Sequence, residues 1–219
     1  MRPDVRLIAI LDPAAAAAAA LDAARAAEAG GATILQVRMK DSGGAEFLGW
    51  AERLVRALRI PVWVNDRADV AWLVGAAGVH LGVDDLPADR VRAGAPRPLQ
   101  VGVSVGTPRE ADRACGMAAD YWSLGSVYAT GSKPDAGAPI GVAGFARLAA
   151  LAPAGMPCVA IGGVTVERVP EVCAAGACGV AVISAVFGAR DVERAARRLR
   201  DALDAALGSR GSVDAGGSR

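Results

Sequence analysis

The chain has 219 residues, enough for one or two domains and a sizeable core. Its 24 basic and 23 acidic side chains leave a net charge of +1, which excludes bulk charge as a way of binding nucleic acid or a membrane surface. Hydrophobic residues make up 53% and aromatics 4%, a mix that suits interleaved helices and buried parallel strands, and the single histidine, His80, excludes chemistry built on paired histidines.

In chain order, short apolar runs alternate with longer helical patterns. The start imitates an export signal: Arg2 and Arg6 precede an apolar, alanine-rich stretch from Leu7 to Leu21. Asp4 and the break at Asp12-Pro13 are foreign to such a signal. The segment therefore reads as a strand at 7–11, a turn, and a helix at 14–29 with Asp22, Arg25 and Glu28 on its polar side. Further strands are expected at 33–37, 62–64, 79–81, 100–103, 121–124, 158–161 and 180–183. Helical patterns occupy 45–58, 68–74, 88–93, 109–118, 142–150, 166–174 and 192–207. Turns such as Gly30-Gly31 and Gly75 end a helix and send the chain quickly into the next strand.

Eight β-α units within residues 1–207 match a single (β/α)₈ TIM barrel as the catalytic domain. A doubly wound sheet is disfavoured by strand count and regular spacing. Residues 208–219 are rich in glycine and serine, carry no apolar pattern and read as a disordered tail. No apolar run reaches the roughly 20 residues needed to span a bilayer. Cys115, Cys158, Cys173 and Cys178 lack C-x-x-C spacing. They read as small hydrophobes in a reducing, cytoplasmic setting rather than as metal ligands.

Barrels of this kind place their active sites at the C-terminal ends of the strands, so those ends can be collected before any function is assumed. The third strand ends in Asn65-Asp66 and the fourth runs into Gly82-Val83-Asp84-Asp85. On a common rim, Asp66 and Asp85 could face one site. Two carboxylates and little else is how proteins hold Mg²⁺, which takes its other ligands from water and substrate phosphates. Read singly, Asp66 starts a turn and Asp85 caps a helix opening at Pro87. The second strand ends Gln36-Val37-Arg38-Met39-Lys40, and alternation puts Gln36, Arg38 and Lys40 on one face. Two cations in a barrel mouth need an anion, or they reach solvent.

Ser104 ends the fifth strand as a hydrogen-bonding group or a cap, and Thr107 reads as a cap. The loop 128–137 carries Thr130, Ser132 and Lys133 and reads as a lid. Gly162-Gly163 follows the seventh strand, and Ile183-Ser184 the eighth. Paired glycines and a helix N-terminus suit a backbone-built phosphate site. Two anion sites imply two phosphorylated ligands or one bisphosphorylated ligand. No nucleophile stands beside a histidine base, so the chemistry should rest on positioning and charge stabilisation.

These residues, in this order, resemble the thiamine-phosphate synthase family over residues 7–199. The resemblance is carried by Gln36-x-Arg38-x-Lys40, Asn65-Asp66, Gly78-Val79-His80-Leu81-Gly82 through Asp85, Gly102-Val103-Ser104, Thr130-x-Ser132-Lys133, Ile161-Gly162-Gly163-Val164-Thr165 and Val182-Ile183-Ser184. It implies a TIM barrel that joins hydroxymethylpyrimidine diphosphate to hydroxyethylthiazole phosphate and releases diphosphate. It implies Asp66 and Asp85 as Mg²⁺ ligands. Gln36, Arg38, Lys40, Asn65, Ser104 and Lys133 would hold the pyrimidine diphosphate, and Thr130, Ser132, Gly163, Ile183 and Ser184 the thiazole phosphate. In the implied dissociative mechanism Mg²⁺, Arg38, Lys40 and Lys133 neutralise the departing diphosphate, and the thiazole nitrogen captures a pyrimidine-stabilised carbocation.

The partners so implied are small phosphorylated substrates, with no nucleic acid and no membrane, and a homo-oligomer is left open. Two positions depart from the family. Glutamine is usual where Val83 stands, and many members have histidine where Gly106 stands. Two alternatives accompany the resemblance. One is a thiazole tautomerase of the same superfamily, which would lack the paired aspartates and use a histidine at the Gly106 position. The other is a paralogue that binds a phosphorylated ligand without turnover.

Overall fold

Strands form where β-branched and other apolar residues cluster, and helices form where alanine, leucine and charged residues recur with a helical period. The computed structural model describes residues 2–13, 19–40, 42–132 and 137–214. Its strands are β1 (Leu7–Leu11), β2 (Ile34–Val37), β3 (Val62–Asn65), β4 (Gly78–Leu81), β5 (Gln100–Val105), β6 (Tyr121–Leu124), β7 (Cys158–Ile161) and β8 (Gly179–Val182). They pair in parallel in chain order, and β8 closes on β1, giving the expected (β/α)₈ barrel.

The helices are α1 (Ala20–Ala29), α2 (Gly44–Ala57), α3 (Ala68–Val74), α4 (Ala88–Gly94), α5 (Pro108–Cys115), α6 (Gly141–Ala149), α7 (Val169–Ala174), α8 (Ser184–Phe187) and α9 (Val192–Asp214). A 3₁₀ turn at Val166–Arg168 leads into α7. Residues 14–18 of the first expected helix lie outside the described residues. Helix α9 continues to Asp214, so its backbone runs through the first part of the segment read as a tail. Residues 215–219 lie outside the described residues. No helix among the described residues is long and apolar enough to cross a membrane.

Alternation splits each strand between two cores. Leu7, Ala9, Leu11, Leu35, Val37, Trp122 and Leu124 face the helices. Ile8, Ile10, Ile34, Trp63, Tyr121, Val159 and Ala181 fill the barrel interior. The Trp63 and Tyr121 rings meet there with centroids 5.4 Å apart and planes tilted by 55°. Both rings need a glycine on the adjacent strand. Gly78 is paired with Trp63, and a Cβ on it would lie 2.5 Å from the indole. Gly102 is paired with Tyr121, and a Cβ there would enter the phenol ring. The aromatic pair plugs the barrel and becomes the base on which the site stands.

Candidate active site

Above the aromatic plug the inward positions turn polar. Gln36, Asn65, His80 and Ser123 are all buried. The Gln36 amide donates to Asn65 Oδ1 at 2.7 Å across β2 and β3. His80 stands between Tyr121 and Ser104: Nδ1 is 2.7 Å from the phenol oxygen and Nε2 is 3.0 Å from Ser104 Oγ. The Ser123 hydroxyl is buried without a partner among the described residues. These groups line a cavity of about 660 Å³ at the C-terminal ends of the strands, with Ile10, Ile161 and Ala181 as its apolar counterpart. That volume suits small-molecule ligands.

The rim on one side holds the expected charged group: Gln36, Arg38, Lys40, Asn65, Asp66, Asp85 and Ser104 all line the cavity. Asp66 occupies the left-handed region at φ 64°, an unusual conformation for a residue with a side chain. The Arg67 N–H donates to Asn65 O at 2.7 Å and the Asp66 N–H to His80 O at 2.8 Å, so the chain turns sharply around Asp66. The turn reading of Asp66 is therefore correct, and the carboxylate still faces the cavity. Asp85 does not cap a helix. Its Oδ2 accepts the Gly82 N–H at 2.6 Å, and α4 starts at Ala88 with no side-chain cap.

Burial pushes the Asp66 carboxyl up from 3.8 to about 6, helped by the charge of Asp85 and a hydrogen bond shared with it, while Arg38 and Lys40 pull it down. Like charges in one site raise a carboxyl in this way, and a cation between them relieves the repulsion. Oxygen-only donors are also what a hard dication such as Mg²⁺ accepts. Among the described residues no group of three or more histidines, cysteines or carboxylates forms a metal cluster. A metal here would depend on the Asp66–Asp85 pair and on ligand oxygens.

The opposite rim is built from hydroxyls and backbone. Thr130, Ser132, Gly163, Ile183 and Ser184 line the cavity there. Ser132 Oγ donates to Ser184 Oγ at 3.3 Å, joining the β6 loop to the start of α8. The first N–H groups of a helix have no partner within it, and Ser184 and Ala185 open α8 beside the cavity. Lys133 lies outside the described residues.

Thr107 caps α5, accepting the Glu110 N–H at 3.3 Å. Glu110 in return takes the Gly106 N–H at 2.6 Å. A Cβ on Gly106 would lie 3.2 Å from the Gly125 carbonyl, so a histidine there would need that carbonyl to give way. Val83 lines the cavity, and its carbonyl accepts from Arg113 at 3.1 Å. Some cavity residues escape a strand-end reading, the buried polar His80 and Ser123 among them. Both lie inside their strands, and the available signal was a lone polar residue at an inward position of an otherwise apolar run.

The family model described as thiamine monophosphate synthase matches residues 7–186. A protein of Methanoculleus marisnigri named thiamine-phosphate synthase is 47% identical over 191 residues, covering 84% of this chain and 88% of that one. One of the same name from Agrobacterium fabrum is 42% identical over 214 residues, covering 94% and 97%. A solved structure of thiamine phosphate pyrophosphorylase from Pyrococcus furiosus superposes with a TM-score of 0.82 at 36% identity, covering 94% of this chain and 98% of that one. The matched segment runs from β1 into α8 and takes in both rims of the cavity, so the chain belongs to the thiamine monophosphate synthase family.

Proposed function

We propose that the protein condenses hydroxymethylpyrimidine diphosphate with hydroxyethylthiazole phosphate, forming thiamine phosphate and diphosphate, with Mg²⁺ held by Asp66 and Asp85. The observation that carries this reading is one cavity with two unlike rims. A carboxylate pair stands beside Arg38 and Lys40 on one side, and glycine backbone and serine hydroxyls stand on the other. The first suits a metal-bridged diphosphate, and the second a phosphate monoester. The names of the relatives supply the substrate class.

Mg²⁺, when bound, would neutralise charge on the diphosphate oxygens. Arg38, Lys40 and Lys133 would add fixed positive charge as the C–O bond to diphosphate breaks. The resulting carbocation is stabilised by its pyrimidine ring, and the thiazole nitrogen donates its lone pair to form the C–N bond. That nitrogen carries no proton to lose, so the step needs no general base. Gln36 and Asn65 hold one another at the floor, and His80 fixes the Ser104 hydroxyl, so the polar edge of the pyrimidine would meet groups already oriented. The free cysteines, Cys158 and Cys173 buried among them, fit a cytoplasmic enzyme.

Incubation with both substrates and Mg²⁺ should give thiamine phosphate and diphosphate in equal amounts, and exhaustive chelation should stop the reaction. Metal-independent isomerisation of a thiazole phosphate, with no coupled product at saturating substrates, would sink the proposal in favour of a tautomerase. Ligand uptake with no product of either kind would point to a binding paralogue.

A further inference from the structure

Three successive carbonyls leaving β7 are each held by a donor. The Val127 N–H donates to Ile161 O at 2.8 Å and the Tyr128 N–H to Gly162 O at 3.0 Å. Arg168 Nη1 donates to Gly163 O at 2.6 Å. In a trans peptide the carbonyl and the following N–H point in opposite directions. Fixing the Gly163 carbonyl on Arg168 therefore turns the Val164 N–H the other way. Gly162, Gly163 and Val164 all line the cavity, whereas Arg168 does not. The N–H groups of Gly163 and Val164 donate to no protein acceptor among the described residues.

Arg168 is itself held in place. Its guanidinium lies 4.2 Å above the Tyr128 ring, and the Tyr128 hydroxyl donates to Glu171 Oε2 at 2.8 Å. Tyr128 stands at the root of the loop that carries Thr130 and Ser132, and this root crosses the β7 loop through the two backbone bonds. Gly163 adopts φ 63°, and a Cβ there would lie 2.6 Å from the Ala129 carbonyl. The two loops are in close contact at the point where Arg168 reaches in.

We infer that Arg168 is a positioning residue of the phosphate-monoester rim: it holds the Gly163 carbonyl outward so that the Val164 N–H faces a bound phosphate, and through Tyr128 it locks the β6 loop against the β7 loop. Only the identity of that phosphate, the thiazole substrate, rests on the proposed function. A guanidinium that merely braced the fold would affect stability and both substrates alike. A positioning role acts on one anion.

The test uses Arg168→Ala, Arg168→Lys and Tyr128→Ala in the full chain. Arg168→Ala should raise the KM for thiazole phosphate by about tenfold, the worth of one charge-assisted hydrogen bond. The KM for pyrimidine diphosphate and kcat at saturation should stay near wild type. Arg168→Lys can still donate to Gly163 and should recover part of the loss. Tyr128→Ala should reproduce the selective effect, which keeps the test alive if Arg168→Ala folds poorly. Inorganic phosphate, titrated while the Val164 and Gly163 amide resonances are followed, should bind more weakly to Arg168→Ala by a similar factor. If the wild type made no thiamine phosphate yet phosphate still bound in an Arg168-dependent way, the substrate assignment would fail and the positioning role would stand. Equal rises in both KM values, or a lower melting temperature with unchanged phosphate affinity, would overturn it.

Discussion

Replacing Asp66 by asparagine tests whether the Asp66 charge is held against burial and the neighbouring charge of Asp85. Burial and the charge of Asp85 push the Asp66 carboxyl from 3.8 to about 6. A carboxyl raised on folding binds more protons in the folded than in the unfolded state between those two values. Its contribution to stability is therefore intact below the unfolded value and is lost as pH rises through about 6. The full loss at pH 8 corresponds to about 3 kcal/mol. Asp66 is only partly buried, and solvent screening brings this to about 1–2 kcal/mol. Asparagine keeps the shape, carries no charge and tolerates the left-handed φ of 64°.

In EDTA, Asp66→Asn should melt with the wild type near pH 4 and about 2–6 °C above it at pH 8, followed by scanning calorimetry. Mg²⁺ with diphosphate should raise the wild-type melting temperature more than that of the variant, which keeps Arg38 and Lys40 but loses one carboxylate of the pair. Turnover by the variant should collapse while its stability improves. Melting curves that coincide at pH 8, or a variant that melts lower there, would refute the argument that burial and the charge of Asp85 disfavour an ionised Asp66 in the folded chain.

The remaining predictions address the plug, the opposite rim and a departure from the family. Gly102→Ala drives a methyl into the Tyr121 ring and should cost about 2–3 kcal/mol in urea unfolding, where a loss below the error of the method would show that the plug yields. Ser184→Asp puts a negative charge where a phosphate is expected, and steady-state kinetics should show a raised KM for the thiazole phosphate with that for pyrimidine diphosphate little changed. Val83→Gln restores an amide at the cavity wall, and its kcat/KM should equal or exceed the wild-type value; a clear loss would mean that Val83 is adapted to this pocket.

Much of this barrel was legible because its strands are short apolar runs bounded by glycine turns, a signal that survives without neighbours. Strand ends on the cavity side were harder: β5 runs on to Val105, past the expected end at residue 103. Helix α8 spans only Ser184–Phe187, too short to show a period, so the helical pattern expected after the eighth strand began only at residue 192. The rim residues Arg38, Lys40, Asp66 and Asp85 could be read because they break apolar strands, and a barrel needs no register to bring all strand ends together. The link from Tyr121 through His80 to Ser104 depends on cross-strand register, which one chain's pattern does not state. The clasp of Arg168 on Gly163 was hidden for another reason: it is a side chain binding a backbone carbonyl, and any arginine in a turn looks the same in sequence.

The plug explains why this polar floor can be rigid. Buried polar groups cost stability unless each is paired, and paired they order a site before the ligand arrives. Gly78 and Gly102 give up side chains so that Trp63 and Tyr121 can fill the barrel below the floor. Tyr121 then does more than fill space: its hydroxyl fixes one ring nitrogen of His80, which leaves the other for Ser104. Packing in the lower layer thus sets hydrogen-bond geometry in the upper one. By contrast, the opposite rim is made of loops held by a few contacts, Ser132 to Ser184 and Arg168 to Gly163 among them. In the proposed reaction, the substrate that loses diphosphate would need its reacting carbon kept still, which the plugged floor would supply, while the second substrate would enter and the product leave past loops that fewer bonds restrain. Substitutions under the floor should therefore appear in the chemical step, and substitutions in the loops in the binding of one substrate.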